Sequence, residues 1–148
     1  MGAGRLPTGR VDGHPRTVTV WVLIVEDQPV FRRAMRDVVE SVVGFEACAE
    51  VATGQEAIRC VELWKPDLVL MDVHLPDLDG IESAQRIRAA TADQPRLAIV
   101  LLSTYEAVDY APLALAAGAL AYVSKSELTP DLLLALWQAG TRPRTVVP

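Results

Sequence analysis

Short apolar runs alternate along this chain with stretches whose apolar positions recur every three or four residues. The runs Val18–Val25, Glu46–Ala52, Leu68–Met71 with Asp72 at its end, Leu97–Leu102 and Ala119–Val123 predict five strands. Most of these runs are nearly continuously apolar, as strands covered on both faces of a parallel sheet are. Pro29 suits the first turn of a helix that carries Phe31, Ala34, Met35, Val38 and Val42 at helical spacing and is broken by Gly44. Thr53-Gly54 opens a second helix through Trp64, with Ala57, Ile58, Val61 and Leu63 expected to face inward. Ile81–Ala90, about Ala107–Ala117 ending at Gly118, and Leu132–Ala139 after Thr129-Pro130-Asp131 complete the helices. Strand and helix in strict alternation predict an α/β fold, a single doubly wound parallel sheet with helices on both faces.

In such a sheet the chemistry gathers at the carboxyl ends of the strands. Two of the runs end in acid: the first on Glu26-Asp27, the third on Asp72. Like charges about 4 Å apart repel by roughly 4 kcal/mol at an effective dielectric near 20. A bound divalent cation removes that cost. The fourth run closes on Ser103-Thr104, and Lys125 follows the fifth. Carboxylates, a hydroxyl and an ammonium at one sheet edge suit phosphoryl transfer onto a carboxylate. Asp72 is then the nucleophile, Asp27 and Glu26 hold Mg²⁺ through oxygen, and Lys125 and Ser103 take the remaining phosphoryl oxygens. Asp77 and Asp79 fall in a turn and are expected to cap backbone groups there, while Asp12, Asp37 and Asp67 carry no role beyond solvation and local capping.

Composition narrows the field. The 148 residues suit one domain, and the net charge of −5 with no basic block argues against direct nucleic-acid binding. No stretch is apolar enough to span a membrane and no signal peptide is visible, so a cytoplasmic location is expected. Cys48 and Cys60 fit reduced core thiols. Residues 1–17 are expected to form a disordered extension or an over-extended start, 18–140 the domain, and 141–148 a C-terminal tail.

The ordered stretches Val22-Leu23-Ile24-Val25-Glu26-Asp27, Pro66 through Asp72, Pro76 with Asp79-Gly80, Leu102-Ser103, and Gly118-Ala119 with Tyr122 and Lys125 resemble the receiver domain of two-component response regulators. The likeness runs from about Val18 to Ala139 and is closest to the NarL/LuxR-type subgroup, without its helix-turn-helix output domain. It implies a flavodoxin-like sheet of order 2-1-3-4-5 with five helices. It also implies Asp72 as phospho-acceptor, and Mg²⁺ held by Asp27, Asp72 and the backbone carbonyl of His74, with Glu26 assisting through water. Ser103 and Tyr122 take the switch positions, and His74, Thr104 and Tyr105 flank the site where dephosphorylation is modulated. The implied partners are a histidine kinase or phosphotransfer protein and a second copy bound through the fourth helix, fifth strand and fifth helix. The chain is expected to be no enzyme beyond self-catalysed phosphotransfer and dephosphorylation. It is either a stand-alone receiver or the receiver portion of a transcriptional regulator. Two other readings are weighed: a phosphorylation-independent interaction module on the same fold, and an aspartyl-phosphate phosphohydrolase. The second needs an acid two positions beyond the nucleophile, where His74 stands.

Overall fold

The computed structural model describes residues 18–104 and 111–141. Five strands, β1 (Val20–Val25), β2 (Phe45–Val51), β3 (Leu68–Asp72), β4 (Ala98–Ser103) and β5 (Ala121–Ser124), pair in parallel in the order β2-β1-β3-β4-β5. The helices are α1 (Pro29–Glu40), α2 (Gly54–Trp64), α3 (Gly80–Ala90), α4 (Ala111–Ala116) and α5 (Pro130–Thr141), and a 3₁₀ turn covers Lys125–Glu127. This is the doubly wound sheet that the alternation of patterns predicts, in the flavodoxin-like order that the family resemblance implies.

Alternate residues of the central strands feed two cores. Leu23, Val25, Val69, Met71, Ile99 and Leu101 pack with Ala57, Val61, Ala84, Ile87 and Ala114, so α2, α3 and α4 cover one face. Val22, Ile24, Leu68, Leu70, Val100 and Leu102 pack with Met35, Val39 and Leu133 from α1 and α5 on the other. Both faces are therefore covered, which is why the strands carry so few polar residues.

Several boundaries and faces differ from expectation. Pairing of β1 begins where Val20 meets Phe45, and Val18 lies outside the ladder, exposed. At the other edge, Gly118 takes φ +95°, Gly118 N–H donates to Leu115 O (3.0 Å) and Ala119 N–H to Ala114 O (3.0 Å). Ala119 thus closes the end of α4, and β5 starts later, at Ala121. The start of the predicted fourth helix, together with Tyr105, lies outside the described residues. Leu63 is not inward: it is 74% exposed, because two residues past Val61 is about 200° around a helix of 3.6 residues per turn. Ala34 is likewise exposed, and Val39 fills the inward stripe beside Met35. Cys48 and Cys60 form no disulfide among the described residues; the first is buried and the second half-buried.

Asp67 does more than solvate the approach to β3. Its carboxylate accepts from Trp21 N–H (2.8 Å), its own N–H donates to Trp21 O (2.8 Å), and its carbonyl accepts from Ala98 N–H (3.0 Å). One residue thereby ties the starts of β1, β3 and β4. No helix among the described residues is long and apolar enough to cross a membrane.

Candidate functional site

The order of strands reverses between β1 and β3, since the chain leaves β1 for β2 on one side and reaches β3 on the other. Loops diverge there, and the carboxyl ends of the two strands open a crevice. Glu26, whose N–H donates to Val51 O (3.0 Å), lies one residue past the end of β1, and Asp72 is the last residue of β3. Carboxylate oxygens of Glu26, Asp27 and Asp72 all come within 4.8 Å of one another.

The three are held differently. Glu26 is completely buried, with Oε2 accepting from Gln28 N–H (3.2 Å) and Oε1 only 2.6 Å from Lys125 Nζ. Burial is the largest influence on it and raises its carboxyl above the ordinary 4.5; the Lys125 and Gln28 donors pull in the other direction, and the charge of Asp72 adds to the rise. Asp72 is also buried. Its Oδ2 lies 3.5 Å from Lys125 Nζ, while its Oδ1 is enclosed and accepts no hydrogen bond among the described residues. Asp27 is half-exposed at the rim.

Lys125 opens the 3₁₀ turn after β5 and crosses to these acids from the far side of β4. Its side chain is 11% exposed, and its ammonium sits 4.1 Å from the centroid of the Phe31 ring. Ser103, buried, ends β4 one residue beyond Leu102, which pairs with Asp72. Tyr122 pairs with Leu101 in β5 and is half-buried against the core under α4. His74 and Thr104 are exposed at the rim.

The turn after Asp72 is built from caps. Asp79 Oδ1 accepts from Glu82 N–H (2.7 Å) at the start of α3, as the sequence suggests. Asp77 reaches farther, accepting from Gly54 N–H (2.9 Å) and Gln55 N–H (2.9 Å) at the start of α2. Partial burial raises the Asp77 carboxyl, but the N–H donors of Gln55, Gly54, Leu78 and Asp77 itself outweigh that and hold it below the ordinary 3.8. Gly80 lets α3 approach β3. A Cβ there would stand 2.6 Å from Asp72 O and 2.7 Å from Val73 Cα.

Three participants escape sequence reasoning. Phe31, read as a core position of α1, lies under the ammonium instead. Arg32 donates from Nη1 to the Glu26 carbonyl (2.9 Å), and its Nε lies 3.7 Å from Glu50 Oε1, which braces the loop carrying Glu26 and Asp27. The reach of Asp77 to α2 is the third. Only Arg32 left a trace in the sequence, as a charge one turn into a helix beside an acidic loop.

The donor set fits a hard divalent cation. It is all oxygen, it carries excess negative charge, and one buried carboxylate oxygen has no donor among the described residues.

A family model described as "Response regulator receiver domain" matches residues 22–137. The chain is 38% identical over 139 residues to the transcriptional regulatory protein PdtaR of Mycobacterium tuberculosis, covering 94% of this chain and 65% of that protein. It is 38% identical over 112 residues to the uncharacterized transcriptional regulatory protein YhcZ of Bacillus subtilis, covering 76% and 51%. The chain thus spans between about half and two thirds of these relatives' length. Among solved structures, a LuxR-family two-component response regulator from Aurantimonas sp. SI85-9A1 superposes with TM-score 0.72 at 30% identity, covering 86% of this chain and 91% of that one. The receiver domain of the putative response regulator NarL from Mycobacterium tuberculosis, at 22% identity and TM-score 0.74 over 84% and 98%, shares the fold.

Proposed function

Since this chain belongs to the response regulator receiver domains of two-component signalling, we propose that it accepts a phosphoryl group on Asp72 from the phosphohistidine of a kinase or phosphotransfer protein. One observation carries the reading: Asp72 is buried, with Oδ1 accepting no hydrogen bond among the described residues and Oδ2 3.5 Å from the Lys125 ammonium, beside two further carboxylates. A carboxylate oxygen attacks phosphorus, the phosphorus–nitrogen bond of the donor breaks, and its imidazole leaves with the electron pair. Receiver domains typically bind Mg²⁺ in an acidic pocket. Here Glu26, Asp27 and Asp72 would hold it, with the His74 carbonyl as the further ligand that the family implies. When bound, the cation neutralises charge on the phosphoryl oxygens.

The chain's own residues do the rest. Asp27 and Glu26 concentrate negative charge that only a cation relieves. Lys125 supplies a positive charge to a phosphoryl oxygen on the side facing α1, and the Ser103 hydroxyl is the donor from β4. The caps made by Asp77 and Asp79 fix the loop that follows Asp72. His74 and Thr104, exposed at the rim, stand where water would approach and so tune the lifetime of the phosphoryl group, with Tyr105 the third position to which the family resemblance assigns that role.

Phosphorylation adds about −1.5 to −2 charge, on the usual figure for phosphorylated hydroxyl side chains. We take the readout surface to be α4, β5 and α5. Ser103 and Lys125 are drawn to the new charge, and Tyr122 follows into the space released. Leu113 and Leu115 on α4, each 56% exposed, and Leu134 on α5 give that surface an apolar component suited to a protein partner or a second copy.

Incubation with acetyl phosphate and Mg²⁺, read by intact mass, tests the acceptor. The wild type is expected to gain one hydroxylamine-labile phosphoryl group and Asp72→Ala none. A wild type that stays unmodified, or a mutant that is modified equally, rejects the assignment.

A further inference from the structure

We infer that Phe31 is a positioning residue for Lys125, its ring face holding the ammonium at the acidic pocket. The inference rests on the phosphoryl-acceptor reading above. A lysine head group is a compact, strongly hydrated charge on a flexible stem, and left alone it turns to water. Lys125 does not: it is 11% exposed, and three groups surround its nitrogen. Glu26 Oε1 is at 2.6 Å, Asp72 Oδ2 at 3.5 Å and the Phe31 ring centroid at 4.1 Å.

These restraints differ in kind. The two carboxylates are the groups a divalent cation would engage, so its arrival weakens their hold on the ammonium. The ring is neutral and competes for no metal. Its negative face still attracts the ammonium after both carboxylates are engaged elsewhere. Phe31 is placed for this by α1. It lies one turn before Met35 and is half-buried, lining a cleft with Met35, Leu102, Leu128 and Lys125. The apolar wall of that cleft keeps water from one side of the ammonium and strengthens the attraction.

The test uses three variants and small probes, so that any kinase contact on α1 plays no part. In the metal-free protein with isotope-labelled lysine, the ring current is expected to move the Lys125 ε-methylene resonances upfield. The displacement should survive in Phe31→Tyr and vanish in Phe31→Leu. With Mg²⁺, beryllofluoride is expected to bind Phe31→Leu about three- to tenfold more weakly than wild type, as loss of a partly exposed cation–π contact implies. Phe31→Tyr should bind as wild type does, and the loss should disappear when Phe31→Leu is combined with Lys125→Met. Urea midpoints of the two Phe31 variants separate packing from positioning. Equal affinity of Phe31→Leu and wild type, a Tyr variant as weak as Leu, or an undiminished loss in the Lys125→Met background overturns the inference. Should the wild type bind no beryllofluoride, the acceptor reading fails, while the lysine resonances still decide whether the ring holds the ammonium.

Discussion

Glu26 bears the electrostatic strain of the pocket. It is the one carboxylate of the three that is wholly enclosed, and burial raises its carboxyl despite the ammonium beside it. A group whose folded value lies above its unfolded value favours folding fully below the unfolded value, 4.5 here, and loses that contribution as pH rises through the folded value. At neutral pH the metal-free protein therefore carries a penalty that an uncharged side chain lacks. Glu26→Gln should gain stability relative to wild type between pH 4 and pH 7, whatever the offset at pH 4. Urea unfolding without metal at several pH values measures it; a flat difference denies that Glu26 is charged and strained. Asp27, Asp72 and Lys125 were legible because each follows an apolar run at a strand end, a position fixed by chain order. Glu26's enclosure and its partnership with Lys125 were not, since both depend on how far the Lys125 side chain reaches past β4 and β3 to the end of β1, which no local pattern encodes.

At the level of elements, α2 is secured at both ends by features of different origin. Its start is capped from outside by Asp77, from the loop that follows Asp72. Asp77→Ala should cost about 1 kcal/mol, in the range of lost N-caps, and a urea titration checks it. Because the Asp77 carboxyl is held below 3.8, its contribution is present above that value and fades as pH falls through the folded one. The wild-type advantage should therefore shrink in strong acid. Its end turns through Lys65, which takes φ 50°, where a side chain is strained and glycine is not. Lys65→Gly should stabilise by about 0.5–1 kcal/mol, read as a raised urea midpoint; an unchanged or lowered midpoint removes the strain argument. Helix and strand types followed from periodicity, but ends did not. Ala119 looks like the start of β5 and instead closes α4, because a chain turning at Gly118 satisfies helix carbonyls before it can enter the sheet. Leu63, apolar and exposed, shows the same limit, since hydrophobicity alone does not fix a face.

For the molecule as a whole, the proposed switch would have to move a population. Shifting it from 1:99 to 99:1 takes about 5.5 kcal/mol of preference for the active arrangement. Tyr122→Ala should leave acetyl-phosphate labelling of Asp72 intact while abolishing any phosphorylation-dependent association, measured as solution molar mass by light scattering; intact association would remove Tyr122 from the route. The sheet itself is anchored unevenly. The acidic cluster and Lys125 sit where the strands finish, and Asp67 fastens three of them where they begin. A clasp at the rear lets the front edge loosen without the strands sliding out of register. Amide exchange should therefore be slowest near Trp21 and Ala98 and quicken toward Ser103, and under the proposed function the domain would answer a phosphoryl group like a pair of tongs pinned at the handle.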